Sequence, residues 1–229
     1  MSDSRRIMLA GATDLVGRSA MEVACAHPSL RLVALSRREA PMPRGARMEM
    51  LVADPDRWED AIASIAPDGV ICALGTTWRQ AGRSEDAFRA VDRDLVLRVA
   101  GAAHKAGASH FVLVSSAGAE LTAKAFYLRA KAETEAAVSK LKFKRLDILR
   151  PGLLRGRRTG DGRPLERLAI LASPLADHLL RGKRRGFRSI DARVVAAAAL
   201  QLVREKAPGR FVHDNEAILR AARRLEGTA

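Results

Sequence analysis

With 229 residues, 48% of them hydrophobic and 29% charged, the chain is long enough for one large domain with a real core, and its composition excludes a disordered protein. The formal net charge of +14 admits a nucleic acid, an anionic cofactor or an acidic protein as partner; the charges are dispersed and no nucleic-acid motif accompanies them, so an arginine-rich surface is the simpler reading. Cys25 and Cys72 fit neither a metal spacing nor a disulfide framework, which points to reducing, cytoplasmic surroundings, and the longest apolar run, 194–203, is too short to cross a bilayer.

The first apolar run, 7–10, reads as a buried strand, and residues 15–26 as the helix after it. His27-Pro28 ends that helix, because the residue before proline avoids the helical region. Strands follow at 30–35 and 48–52, separated by a Pro- and Gly-rich loop at 40–45. A short helix at 58–65 leads to a strand at 69–74, GVICAL, nearly all apolar, as a parallel strand covered on both faces should be. After a polar loop, Phe88, Val91, Leu95 and Val99 recur at helical spacing, which predicts a helix over 85–105. A strand at 110–115, a helix at 123–141 and a strand at 145–149 come next. A basic loop is expected at 155–163, two short helices at 165–172 and 175–181, and a helix at 191–206 with Asp191 near its start as a cap. A late edge strand at 210–213 and a helix at 215–225 close the chain.

Strands alternating with helices predict an α/β fold, a doubly wound parallel sheet with helices on both faces. The expected organisation is a single domain, 1–229, with a binding core over 1–152. A smaller, mostly helical region over 153–229 would lie at the carboxyl ends of the strands, where such folds take their ligands.

Three groups of residues carry candidate chemistry. Gly11-Ala12-Thr13-Asp14-Leu15-Val16-Gly17 follows a strand and opens a helix. Its first glycine permits a tight turn, its last permits close packing of helix on strand, and the helix N-terminus offers amides and a positive dipole end to a pyrophosphate. The same spacing also suits an ordinary strand-to-helix turn. Arg37 and Arg38, just after the second strand, suit the 2′-phosphate of NADP, where an acid would suit the ribose of NAD; two solvated surface arginines are the alternative. Asp54, after the third strand, is either an adenine contact or a turn residue before Pro55. Tyr127 and Lys131 lie four apart on one helix and so share a face. An ammonium beside a phenol favours phenolate, and such a tyrosine can move a proton to or from a substrate oxygen. Ser116, just past the fifth strand, could hold that oxygen, with Ser115 as the strand's last residue. The five histidines have no ligand-like spacing, and neither a Ser-His-Asp set nor a zinc or Walker pattern is evident.

On the residues GATDLVG at 11–17, SRR at 36–38, CALGTTWRQAGRSEDAFRAVDRD at 72–94, HFVLVSSAGA at 110–119, YLRAKAETE at 127–135 and LRPGLLRGRR at 149–158, the chain resembles the atypical short-chain dehydrogenases/reductases, and among them the Tat-interactive-protein-like oxidoreductases. The resemblance implies a Rossmann-type fold that binds NADP(H), with NAD as the alternative, at the first turn. It implies a Ser116, Tyr127 and Lys131 constellation, with Lys131 also on the nicotinamide ribose, Pro151 beside the nicotinamide, and Gly75 and Thr76 under the middle of the cofactor. One position departs from the pattern. The family has glycine where this chain has Asp14. Turned inward, Asp14 would repel a pyrophosphate; turned outward, it would leave the site intact; as a helix cap, it would use amides that a phosphate wants. Two functions follow as expectations. One is an NADP(H)-dependent oxidoreductase acting on a small carbonyl or alcohol; the other is a non-catalytic, dinucleotide-sensing or protein-binding Rossmann protein.

Overall fold

The structure, a computed structural model, describes residues 5–156 and 187–227. The basic loop expected from 155 and the helices expected at 165–172 and 175–181 lie outside these residues, except for the loop's first two positions.

Seven strands form one sheet: β1 (Arg6–Ala10), β2 (Arg31–Ser36), β3 (Glu49–Val52), β4 (Gly69–Cys72), β5 (His110–Val114), β6 (Arg145–Leu149) and, after a two-stranded pair of β7 (Leu154–Arg155) with β8 (Ile190–Asp191), β9 (Gly209–His213). Their order is β3-β2-β1-β4-β5-β6-β9, and every pairing is parallel. The order reverses at β1, which lies between β2 and β4; a crevice opens at such a switch point beyond the strands' carboxyl ends.

The pleat sends alternate residues to opposite faces. Ile7 and Leu9 of β1 join a core with α1 (Leu15–Cys25), α6 (Ala192–Leu202) and α7 (Asn215–Glu226). Met8 and Ala10 join the other core, with α2 (Trp58–Ile65), α4 (Val96–Lys105) and α5 (Phe126–Ser139). Both faces of the sheet are therefore covered, and the central strands β1, β4 and β5 read as nearly continuous apolar runs for that reason. Beyond residue 187 the chain adds β9 at the sheet edge and two helices on the α1 face. Asp191 caps α6 by accepting from Arg193 N–H at 2.8 Å, as its position predicts. His213 of β9 binds β6 through Asp147, its Nε2 2.8 Å from that carboxylate, which Arg145 of the same strand holds with its Nε at 2.7 Å.

Two expected helices and two expected strands differ in extent. The helix expected over 85–105 is interrupted: α3 (Glu85–Arg89) passes into a π-helical stretch, Ala90–Leu95, before α4 begins. The helix expected from 123 begins at Phe126, because Arg129 turns back and donates to the carbonyls of Ala123 and Lys124 at 3.0 and 2.8 Å. Strands β4 and β5 stop at Cys72 and Val114, one or two residues short of expectation, where the chain leaves the sheet to border the crevice.

Candidate active site

A cavity of about 370 Å³ lies at the carboxyl ends of β1, β4 and β5, bordered by Thr13–Val16, by Ala73–Trp78, and by Asp92, Tyr127 and Lys131. Its first wall is the turn into α1. Gly11 has φ of +91°, and a Cβ there would stand 2.6 Å from the Ala73 carbonyl carbon; a Cβ on Gly17 would stand 2.0 Å from Gly11 O. Strand, turn and helix thus pack backbone against backbone, which only glycine permits. Asp14 takes the extended conformation of a helix cap, φ −84° and ψ 166°, but its side chain makes no capping bond. The half-buried carboxyl turns toward the cavity instead. Burial pushes its pKa up to about 6, against a hydrogen bond from the Gly75 backbone and the positive charges of Arg37 and Lys131; the negative charge of Asp92 raises it further.

The second wall comes from α5 and the π-helical stretch. Tyr127 and Lys131 line the same cavity, one helical turn apart. Phe88 packs edge-on against the Tyr127 ring at 5.5 Å between centroids and fixes its plane. Lys131 is buried, and its Nζ lies 2.7 Å from Asp92 Oδ1. Burial alone would lower the Lys131 pKa, but the Asp92 carboxylate and the Tyr127 side chain outweigh it and hold the ammonium above its ordinary value. Asp92 Oδ2 accepts from Thr76 N–H at 2.7 Å, so one carboxylate fixes both the lysine and the β4 loop. A π-helical turn leaves carbonyls off the ordinary ladder; Thr134 Oγ1 of α5 lies 3.0 Å from Asp92 O, joining the two helices at that point.

Asp92 is the residue that the sequence reading missed. The signal was partial: Asp92 falls on one helical stripe with Phe88, Leu95 and Val99, where a buried acid requires a partner, but Val91 fits that stripe as well on spacing alone.

The remaining expected residues fall in different places. Gly75 and Thr76 border the cavity. Arg38 lines an adjoining depression with Thr13 and Arg18, while Arg37 is exposed nearby and acts on Asp14 by charge. Ser115, not Ser116, borders the cavity, but its hydroxyl donates to Glu135 at 2.5 Å. The Ser116 hydroxyl is directed at the Ala117 carbonyl at 3.3 Å. Pro151 is buried behind the crevice, its carbonyl accepting from Ala117 N–H at 2.8 Å. Asp54 is exposed ahead of the turn at Pro55–Arg57 and does not line the cavity. Cys72 lies fully buried beneath the crevice, and burial pushes its thiol up to about 12, so it is no nucleophile. No cluster among the described residues could hold a metal ion, and none of their helices is long and apolar enough to cross a membrane.

Comparison with known proteins agrees with this geometry. A family model described as NAD(P)H-binding matches residues 11–206. Protein fmp52-1, mitochondrial, of Aspergillus oryzae is 35% identical over 198 residues, covering 84% of this chain and 83% of the relative. Protein HTATIP2 of Rattus norvegicus is 49% identical over 98 residues, 43% of this chain and 39% of that protein, which bears out the resemblance to the atypical short-chain dehydrogenases/reductases. The fold matches UDP-N-acetylglucosamine 4-epimerase from Bacillus cereus, with a TM-score of 0.66 at 17% identity over 94% of this chain and 83% of that one. The Bordetella bronchiseptica enzyme WbmG in complex with NAD gives 0.65 at 16% identity, over 98% of this chain and 78% of that one. The fmp52 relatives are named mitochondrial, which overturns the expectation of a cytoplasmic protein. Two free cysteines separate reducing from oxidising surroundings and do not tell one reducing compartment from another. With an oxidoreductase-type Rossmann sheet, a glycine turn at its switch point and most of its length matched, this chain belongs to the NAD(P)H-binding family.

Proposed function

We propose that the protein is an NADP(H)-dependent oxidoreductase that moves hydride to or from a small carbonyl or alcohol, with Tyr127 as its proton donor and acceptor. The observation that carries this reading is the meeting, in one cavity, of the first turn of α1 with Tyr127 and a buried Lys131.

The residues fit a dinucleotide. The first-turn amides of α1 carry no side-chain cap, and that turn borders the cavity. Gly11 and Gly17 draw the helix against the strand, and Gly75 and Thr76 form the facing border. Arg38 and Arg18 line the depression beside Thr13, together with Glu22 and Glu39, and with Arg37 adjacent the three arginines could hold a 2′-phosphate. When bound, the nicotinamide supplies or accepts the hydride.

The chain's own residues do the rest. Tyr127 gives a proton to the substrate oxygen in reduction and takes it back in oxidation. The Lys131 ammonium, fixed by Asp92, would stabilise the phenolate left behind, and the resemblance adds that it would hold the ribose hydroxyls. Leu15, Val114 and Leu154 add apolar surface to the cavity, and apolar walls keep water from the reacting carbon. The role of Pro151 rests on the resemblance, that of Asp54 on its place after the third strand, and that of Ser116 on both the resemblance and its place after the fifth.

The test is turnover of a carbonyl panel with NADPH. Tyr127→Phe should abolish turnover, by about 10²-fold or more, and leave NADPH affinity unchanged. Retained turnover would remove Tyr127 from the chemistry. The inward-facing carboxyl of Asp14 favours a second reading, a dinucleotide-sensing or protein-binding protein without turnover. Dinucleotide binding with no turnover across the panel would favour that one.

A further inference from the structure

We propose that this chain takes up its dinucleotide together with one proton, which resides on Asp14 and turns a repelling carboxylate into a hydrogen-bond donor to the pyrophosphate. The inference rests on the dinucleotide reading above and adds a condition to it.

Three conformations were open to Asp14: outward, capping, or inward. The structure takes the third. The side chain makes no capping bond, so the first-turn amides that attract a phosphate are not covered by it. The carboxyl instead borders the cavity at the N-terminus of α1, where the family's glycine would leave the backbone bare.

The charges around it leave Asp14 poorly compensated. From α5 comes Lys131, but its ammonium is already paired with Asp92 at 2.7 Å. From the π-helical stretch comes Asp92 itself, a like charge. From the end of β2 comes Arg37, which is exposed and therefore screened by solvent. From the β4 loop comes one backbone hydrogen bond, from Gly75. Arg18 of α1 and Tyr127 of α5 complete the polar border.

In this setting the Asp14 carboxyl already titrates at about 6, chiefly because it is buried. A pyrophosphate brought beside it adds negative charge and raises that value further. The bound state therefore holds a proton that the free state has mostly lost at neutral pH. By linkage, dinucleotide affinity is greatest below about 6 and falls as pH rises above it. A protonated carboxyl also gains an O–H donor, which a phosphate oxygen can accept.

The experiment is calorimetric titration with NAD between about pH 6 and pH 8.5, in buffers of differing ionisation enthalpy. NAD is the preferred probe because the 2′-phosphate of NADP itself titrates, with a second pKa of about 6. For the wild type, affinity should fall by roughly tenfold per pH unit above about 6.5, with uptake approaching one proton per NAD at about pH 7.5. Asp14→Asn, which keeps the shape without the charge, should show a flat profile, no proton uptake, and tighter binding than wild type at about pH 8. Asp14→Gly should be equally flat.

A wild-type profile as flat as that of Asp14→Asn would overturn the proposal while leaving the dinucleotide reading intact. So would binding by Asp14→Gly with none by wild type at any pH, since bulk and not charge would then be the obstacle. Failure of all three proteins to bind NAD or NADP at any pH would refute the dinucleotide reading itself, and the proposal with it.

Discussion

Asp92→Ala should be among the most damaging single changes in this protein, although Asp92 touches neither the glycine turn nor any expected catalytic residue except Lys131. Its side chain is 0% exposed and that of Lys131 9%. Solvent therefore screens the pair weakly. Removing one partner of a buried pair costs about 3–5 kcal/mol, because the other charge is left uncompensated. The Thr76 N–H, which donates to Asp92 Oδ2 at 2.7 Å, would lose its acceptor as well. An abandoned buried donor costs about 1–3 kcal/mol, though the two losses share one relaxation and do not simply add. Against a total of about 5–15 kcal/mol, this is a large fraction of stability. The cost has a ceiling, because Lys131 can shed its proton. In the wild type Lys131 is held above its ordinary value of 10.5, so the pair contributes fully below that pH and its contribution is lost as pH rises through the folded value. Urea unfolding of wild type and Asp92→Ala should therefore show a wide gap at neutral pH that narrows as pH rises through and above about 10.5. Lys131→Met made in the same background should recover part of the loss. An Asp92→Ala protein within about 1 kcal/mol of wild type, or a double variant whose loss is the sum of the singles, would refute the pairing argument.

Two other changes probe the opposite wall. Gly17→Ala places a methyl group 2.0 Å from Gly11 O, and because that atom is backbone the helix itself must move. A loss of about 3 kcal/mol or more in urea unfolding is expected, together with weaker dinucleotide binding; a change under about 0.5 kcal/mol would show that α1 is not pinned there. Arg37→Ala should reduce the preference for NADPH over NADH by about tenfold, as expected for loss of one charge-assisted phosphate contact. Equal affinities in the wild type would sink the arginine assignment before any variant is made.

The fold was legible because its determinants are local and periodic. Runs such as Gly69–Cys72 and 111–114 are apolar along their whole length, as strands covered on both faces should be. The glycine turn and the Tyr127–Lys131 spacing were legible for the same reason, since each depends on neighbours within one helical turn. What was not legible depended on contacts distant in sequence. Val91 fits the stripe of Phe88, Leu95 and Val99 as well as Asp92 does on helical spacing alone, and the π-helical stretch turns Asp92 inward toward a lysine 39 residues away. The two serines failed to separate for a similar reason. Ser115 borders the cavity, but Glu135, held in turn by Arg150 at 2.5 and 3.0 Å, accepts its hydroxyl. Nothing within the segment HFVLVSS announces an acceptor 20 residues further on, in α5.

The same long-range contacts explain why Asp14 is unusual in degree as well as in kind. Two carboxyls and one ammonium border the inner cavity: Asp14, Asp92 and Lys131. Asp92 is nearer to the ammonium, has the Thr76 amide on its other oxygen, and so takes the larger share of the cation's charge. Asp14 is left with one backbone bond, an arginine in solvent and the smaller share of the Lys131 charge. Replacement of Asp92 by asparagine would release Lys131 to act on Asp14 and remove a like charge, and both changes lower the Asp14 pKa. Burial is the chief reason that the Asp14 carboxyl titrates at about 6, and the pair that makes Lys131 a fixed ammonium for Tyr127 adds to it through the like charge of Asp92. The acid that anchors the proton-transfer wall and the acid at the phosphate wall are coupled through a single lysine.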